Sequence, residues 1–566
     1  MDYRPIRAKD GESMKPVIAL LPMDDRPVNY DYPFYLARLA GCELHLPSRD
    51  WLGNPWRESQ HTRLVDWLTK EAESADVLII ALDTLAYGGL IPSRTSRESL
   101  ESVLERLSVL KKVKANRPKL PLLASSVILR ISRANSSEEE KDYWATYGSS
   151  MFRLSYLEHK ISLREASSQE LVERSELFKR IPRDVYEDYL AGRQRNHQVN
   201  LRMIDWLAEG IFDYLLLPQD DTADYGWNIV EARTIQAILR RKNLTDRAIT
   251  YPGADEIGCL LLASAVCKQA GFKPRLYLRY SCIHSPSVIT SYEDRPVHEL
   301  VKAHLAPMGG TLASTPEEAD LVLFLNAPAH AQGEASLQWL AWNEEHALEP
   351  DPPANLQLYV EEVKADPTYQ VTRREMDTPE RSPEELVRAL LVELGRKRPV
   401  ALADLAFVNG SDLVLGNLLM QHPESARLAA YAGWNTAGNT LGTVLAHAVL
   451  HLLAKRNRDD PEQTRAHYEF LFLRFLDDYF YQARERSLCL LEDLPSLDIQ
   501  PSMERLPTPK VEMVEKHVRD RLLLAASELE RLFINAGVVK TVKVEQISLP
   551  WQRLFEVSFD VHVSLY

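Results

Sequence analysis

Val17-Ile18-Ala19-Leu20-Leu21-Pro22-Met23-Asp24-Asp25-Arg26-Pro27-Val28 is the stretch on which the fold turns. Five apolar residues without polar alternation read as a strand buried on both faces. Turn residues bound the run, and a helix follows Asp25-Arg26-Pro27-Val28. Nine further apolar runs follow the same grammar, at 43–46, 77–82, 121–129, 214–217, 248–251, 276–280, 321–325, 400–405 and 428–433. Helix-period segments follow the runs, so the sequence predicts βαβ units and a parallel α/β core.

The opening motif returns. Asp25-Arg26-Pro27-Val28 precedes a helix, Gly41 and a strand; Asp294-Arg295-Pro296-Val297 precedes a helix, Gly310 and a strand at the same Pro-to-Gly spacing. Ala75-Asp76-Val77 and Ala319-Asp320-Leu321 then open the next buried strand of each half. This echo favours two Rossmann-like halves over the alternative of a barrel followed by a smaller sheet. The domains expected are a first α/β domain over 15–274, a second over 275–455, and a small C-terminal α+β module over 456–566. Residues 136–209 carry no strand signal and read as a helical insertion placed to cap the first sheet, with helices at 138–141, 165–180 and 184–209. The C-terminal module closes on an antiparallel pair, 541–548 with 554–565, where apolar and polar residues alternate.

Bulk composition narrows the function. The chain has 566 residues, 45% of them hydrophobic and 26% charged, with a formal net charge of −14. Such an acidic balance argues against nucleic acid or an anionic membrane as partner. Cys42, Cys259, Cys267, Cys282 and Cys489 are scattered and form no CxxC pair, as in a reducing compartment. The polar N-terminus lacks a signal-peptide core, and no apolar run is read as reaching the ~20 residues of a membrane span. The cytoplasm is the expected location. Oligomeric state is not encoded in any pattern found.

Ligands of α/β sheets bind beyond the carboxyl ends of strands. Reading the residue after each run gives Asp24, Asp25 and Arg26; Asp83 and Tyr87; Arg130; Gln219, Asp220 and Asp221; Asp255 and Glu256; Asn326; Asp404 with Asn409; and Asn435. Asp220-Asp221 is the sharpest signal, because two adjacent carboxylates repel and at least one must bind its proton more tightly unless a cation intervenes. In Tyr431-Ala432-Gly433-Trp434-Asn435-Thr436-Ala437-Gly438-Asn439-Thr440, glycines and amides lie between a strand and a helix. Its amides are candidates to receive oxyanions or sugar hydroxyls, with Trp434 as a stacking face and Trp434, Asn435, Thr436 and Asn439 as binding residues; the alternative is a tight turn capped by Asn439 or Thr440. Neither a dinucleotide fingerprint nor a GxxxxGK[ST] loop occurs. His447 and His451 have zinc spacing without the HExxH glutamate and read as ordinary helix histidines. Asp477-Asp478-Tyr479 reads as a solvated helix edge.

The blocks Leu20 to Asn29, Gln219-Asp220-Asp221 with Tyr225-Gly226, Gly253-Ala254-Asp255-Glu256, Gly433 to Thr440 and Leu549-Pro550-Trp551 through Phe555 resemble a bacterial domain-of-unknown-function family, number 4127. The resemblance runs from about Lys15 to Tyr566. It carries no activity, but it implies that these blocks act together and that the protein is bacterial and cytoplasmic.

Three functions fit. The first is a glycoside hydrolase or related carbohydrate-active hydrolase acting on a small carbohydrate-like substrate without a cofactor. There Asp221 is the general acid, and Asp220 is the nucleophile or the group orienting a substrate amide. Asp24, Asp25, Arg26, Asp83, Tyr87, Gln219, Asp255, Glu256 and the Trp434 block bind substrate. The second is a metal-dependent hydrolase or lyase with Asp24, Asp83, Asp220 and Asp255 around Mg²⁺ or Mn²⁺. The third is a non-catalytic sugar or anion sensor.

Overall fold

The computed structural model describes residues 15–346, 354–456 and 460–566. Two compact units divide the chain. The first takes the described residues up to Pro33 with Cys42–Ala265 and Tyr292–Asp294; the second takes Phe34–Gly41, Val266–Ser291 and Arg295–Tyr566. Apart from Tyr292–Asp294, the ranges expected as a second α/β domain and as a C-terminal module fall within one unit.

The first unit holds a parallel sheet of β1 (Val17–Leu21), β2 (Glu43–His45), β3 (Val77–Ala81), β4 (Leu122–Ser125), β5 (Tyr214–Leu216) and β6 (Ala248–Ile249). Their order is β2-β1-β3-β4-β5-β6. Strand residues such as Leu78, Ile80, Leu122 and Leu215 are buried against helix residues such as Leu64, Leu107, Ile204 and Ile235. The second unit holds β7 (Arg275–Tyr280), β8 (Thr311–Leu312), β9 (Leu321–Asn326), β11 (Val400–Asp404) and β13 (Ala430–Ala432) in the order β13-β11-β9-β7-β8. A separate short parallel pair joins β10 (Gly333–Glu334) to β12 (Phe407–Val408). β14 (Thr541–Ser548) and β15 (Ser558–Ser564) make the expected antiparallel pair. All ten apolar runs contain a strand, and neither sheet closes into a barrel.

With only its own strands numbered, each main sheet has the doubly wound order 2-1-3-4-5, the first adding a sixth strand. The echo reaches atomic detail. Asp76 Oδ2 accepts the Val17 N–H at 2.9 Å while the Asp76 N–H donates to Val17 O at 2.8 Å. Asp320 does the same to Arg275, at 2.9 and 2.8 Å. The left-handed glycine two residues before the second strand of each sheet is Gly41 ahead of β2 and Gly309 ahead of β8, the latter one position before the Gly310 expected from spacing.

Two sequence expectations are corrected. Residues 138–141 are not helical; the insertion consists of the helices Trp144–Ser162, Ser168–Arg180 and Arg183–Ala208 around Trp144, Met151, Leu154 and Tyr189. The helix Ala437–Arg456 is long and apolar enough to cross a membrane by composition, although 94% of its most apolar window is buried inside the fold.

Candidate functional site

In the first unit the predicted residues converge beyond the carboxyl ends of β1, β3, β5 and β6. The segment after β1 folds back on itself. Asp24, 1% exposed, accepts hydrogen bonds from the Arg26 N–H at 3.0 Å, Asn29 Nδ2 at 2.9 Å, and Arg26 Nε and Nη2 at 3.0 and 2.7 Å. Arg26 Nη2 also donates to Asp255 Oδ1 at 2.5 Å, completing a buried carboxylate–guanidinium–carboxylate bridge. Burial pushes Asp255 up to about 6; Arg26 opposes this, and the charges of Asp24 and Asp220 add to it. Asp25 turns the other way, accepting from Arg57 Nη2 at 2.8 Å and Asn54 Nδ2 at 3.3 Å.

Asp83 lies on the short helix Leu82–Tyr87 that begins where β3 ends, and it accepts the Val127 N–H at 2.9 Å. Burial drives its carboxyl up to about 7, with the charge of Asp220 contributing. Tyr87 ends this helix with its ring 4.9 Å from the Arg195 guanidinium. The turn that follows depends on Gly88, at φ +100°, where a Cβ would lie only 2.5 Å from Ser59 Oγ. Gln219 sits between strands, pairing by backbone with Ile128 and Pro252, and its Nε2 donates to Asp294 Oδ2 at 2.6 Å. Glu256 is fully buried beside Tyr251, whose hydroxyl is pushed upward by burial and by the Glu256 charge.

The Asp220-Asp221 pair does not stand alone. Arg94 donates to Asp220, and Arg130 Nη1 donates to Asp221 Oδ2 at 3.1 Å. Both guanidiniums also hold Glu139, at 3.0 Å from Arg94 and 2.9 Å from Arg130, while Arg130 Nε reaches Glu140 Oε1 at 3.0 Å. Burial raises the proton affinity of Asp221, Arg130 lowers it, and Asp220 raises it again. Asp220 is thus the common buried anion whose field lifts Asp83, Asp221 and Asp255 together.

A cavity of about 950 Å³ opens beside this network. Its walls come from the segments after β2, β3 and β4 and include Trp56, Arg57, His61, Tyr87 and Glu140. In sheets of this order the crevice lies where strand order reverses, between the first and third strands. His61 is driven down to about 4 by burial and by Arg106, so it is a neutral imidazole near pH 7. Among the described residues no three His, Cys, Asp or Glu side chains are disposed to hold a metal ion. Asp24, Asp83, Asp220 and Asp255 are instead engaged by arginines, an amide and a backbone N–H.

Trp434, Asn435, Thr436 and Asn439 belong to the second unit. Their block is turned inward rather than exposed. Trp434 is 5% exposed with its ring 5.8 Å from that of Phe555. The Gly433 N–H donates to Asp478 Oδ2 at 2.6 Å, and the Thr436 N–H to the side chain of Asn435, itself at φ 70°. Thr436, not Asn439 or Thr440, receives an amide of the following turn. Around the ends of β9 and β11, Asn326 Nδ2 donates to Asp404 at 2.9 Å and to Asp412 at 3.1 Å, and Arg381 binds Asn326 Oδ1 at 3.0 Å. Burial lifts Asp404 to about 7 and Asp478 to about 8. Asp477 and Asp478 are buried on a π-helical segment, Phe475–Glu485, and paired with Arg474. They are not the solvated edge expected.

The family profile described as "Protein of unknown function (DUF4127)" matches residues 18–560. The chain belongs to the DUF4127 family. No curated protein and no solved structure matches it. DUF4127 membership covers both units, so the strand-end clusters of each are features of one family sequence. The side chains that sequence reading missed are mostly the arginines and their second acids: Arg94, Glu139, Glu140, Arg381 and Asp412. Strand-end position could not have found them, since none directly follows a strand.

Proposed function

We propose that this DUF4127 protein is a carbohydrate-active hydrolase, a glycosidase in the broad sense, with its reaction centre in the first unit. The observation that carries the reading is the cavity of about 950 Å³ beside the Asp220–Asp221 network. Its walls combine an aromatic face, Trp56, with charged and hydrogen-bonding groups, the mixture that receives a polyhydroxylated ring. Glu140 lines the cavity and shares Arg130 with Asp221.

In this reading Asp221 is the general acid. The field of Asp220 favours its protonated form, and its side chain keeps 30% of its surface open. Its proton goes to the leaving oxygen as the glycosidic bond breaks, and the oxygen of a water ends on the freed carbon. Glu140 is the carboxylate placed to take the proton of that water. Asp220, clamped by Arg94, acts through its charge. The compartment that goes with this reading is the bacterial cytoplasm; the five cysteines are buried thiols rather than disulfides, which fits reducing surroundings.

The test is hydrolysis of a panel of nitrophenyl glycosides and amino-sugar glycosides, with and without EDTA, by wild type, Asp221→Asn and Glu140→Gln. Cleavage that survives EDTA and collapses in both variants supports the assignment. Cleavage abolished by EDTA and restored by Mg²⁺ or Mn²⁺ replaces it with metal-assisted hydrolysis. Binding of a sugar without turnover replaces it with a sensor.

A further inference from the structure

The second unit contains a cavity of about 670 Å³ at the end of its sheet opposite the Asp404 cluster. Pro399 and Ala429, the residues just before β11 and β13, form part of its wall. Its charge is the reverse of the protein's. Over the whole chain 81 acidic residues outnumber 67 Lys and Arg. Here Lys397, Arg398, Arg427 and Lys455 face a single carboxylate, Glu424, with His422 and His451 beside them.

Ordinary helix chemistry accounts for part of this. The helices Pro383–Gly395 and Ala437–Arg456 both end at the cavity, and cations suit helix C-termini. Two such ends carry together about one negative charge. Four cations less one carboxylate leave three positive charges among the lining side chains, an excess that the helix ends and the carboxylates paired with Arg398 reduce without reversing its sign around Lys397, Arg427 and Lys455. Arg398 is further engaged by Glu393 and Glu317, at 2.6 and 2.5 Å. Lys397, Arg427 and Lys455 reach the cavity from three different elements, Arg427 also donating to Ala536 O at 2.8 Å. Lys397 is held at φ 59°, a left-handed conformation that is uncommon for a residue with a side chain. Leu391, Leu394 and Leu452 give the same cavity an apolar floor.

A cleft with one sign of charge on its rim concentrates counter-ions of the other sign, and its volume is that of a small-molecule site. We propose that this cavity binds a phosphorylated small molecule bearing at least two negative charges and an apolar or aromatic part, the phosphates against Lys397, Arg427 and Lys455 and the remainder on the leucine floor. The site is separate in residues and in charge from the cavity of the first unit, and it stands whether or not that unit proves to be a glycosidase.

Calorimetric titration of the full chain with inorganic pyrophosphate, ADP and adenosine at about 0.15 M salt tests this. Pyrophosphate and ADP should both bind, ADP more tightly, with adenosine far weaker. Lys455→Glu and Lys397→Glu, both at exposed positions, should each weaken ADP by about tenfold or more. Lys112→Glu, on a first-unit helix, should leave it unchanged. Unchanged thermal unfolding in the three variants shows that they remain folded. Absence of binding by pyrophosphate and ADP overturns the proposal, as does equal affinity in wild type and the two cavity variants.

Discussion

Arg26→Met isolates the buried bridge at the end of β1. Arg26 is 4% exposed and holds Asp24 and Asp255 at 2.7 and 2.5 Å. Removing one member of a buried ionic group typically costs about 3–5 kcal/mol, because the partner charges stay buried. The pH dependence separates this cause from simple loss of packing. Asp255 titrates at about 6 in the folded protein against an ordinary 3.8, so the folded state binds its proton more tightly than the unfolded chain. A carboxyl raised in this way contributes stability below pH ~4 that is lost as pH rises through about 6, roughly 3 kcal/mol in all. In Arg26→Met the opposing guanidinium is gone, so Asp255 titrates higher still and the loss extends to higher pH. The variant should therefore be about 3–5 kcal/mol less stable than wild type at pH 8, and markedly less handicapped at pH 5. The assay is urea unfolding read by pulse proteolysis, following cleavage between residues 42 and 265 so that the first unit is observed by itself. An equal loss at both pH values, or a loss under about 1 kcal/mol at pH 8, would refute the view that this triad is held by charge.

Further outcomes follow from the same geometry. Asp220→Asn removes the charge that raises Asp83 and Asp255; both should then titrate lower, so stability should fall less steeply between pH 5 and 8 than in wild type, and a slope unchanged or steeper in urea midpoints counts against the hub role. Asp76→Ala and Asp320→Ala each delete a carboxylate that accepts the first amide of a unit's leading strand; each should cost about 1–2 kcal/mol, and an effect at one position with none at the other would argue against equivalent roles. Gly416→Ala places a methyl well inside contact distance of the Tyr479 ring, an overlap expected to cost about 1–3 kcal/mol and to lower Tm; an unchanged Tm would mean that the Leu413–Met420 helix yields freely.

Much of this architecture was legible because buried parallel strands leave an unmixed signature. Each apolar run, from Val17 to Gly433, contains a strand, and the repeated Asp-Arg-Pro-Val marks the same point in two sheets of the same order. The acids at strand ends were legible for the same reason: a strand's end fixes where its next side chain must be. What failed lay away from that rule. Residues 138–141 look helical by composition, yet the carboxylates of Glu139 and Glu140 are drawn to Arg94 and Arg130. Asp477-Asp478 has the composition of a solvated helix edge, but the backbone there is π-helical and both carboxylates are buried against Arg474. Arg94 meets Asp220 across 126 positions of sequence, a pairing with no local signature.

The short segment Tyr292–Asp294 has a consequence for biosynthesis. It is part of the first unit although it follows the leading strand of the second sheet. The Tyr292 carbonyl accepts from both the N–H and the hydroxyl of Thr222, at 3.0 and 2.9 Å, and Asp294 accepts from Gln219. A ribosome making this chain must therefore deliver residue 294 before these bonds to Thr222 and Gln219 can form. Until then the nascent first unit has its sheet complete, and the loop of Asp220 and Asp221 is held from one side only, by Arg94 and Arg130. A fragment cut at Ala265 would stay in that condition permanently, whereas one carried through Asp294 would contain its own latch.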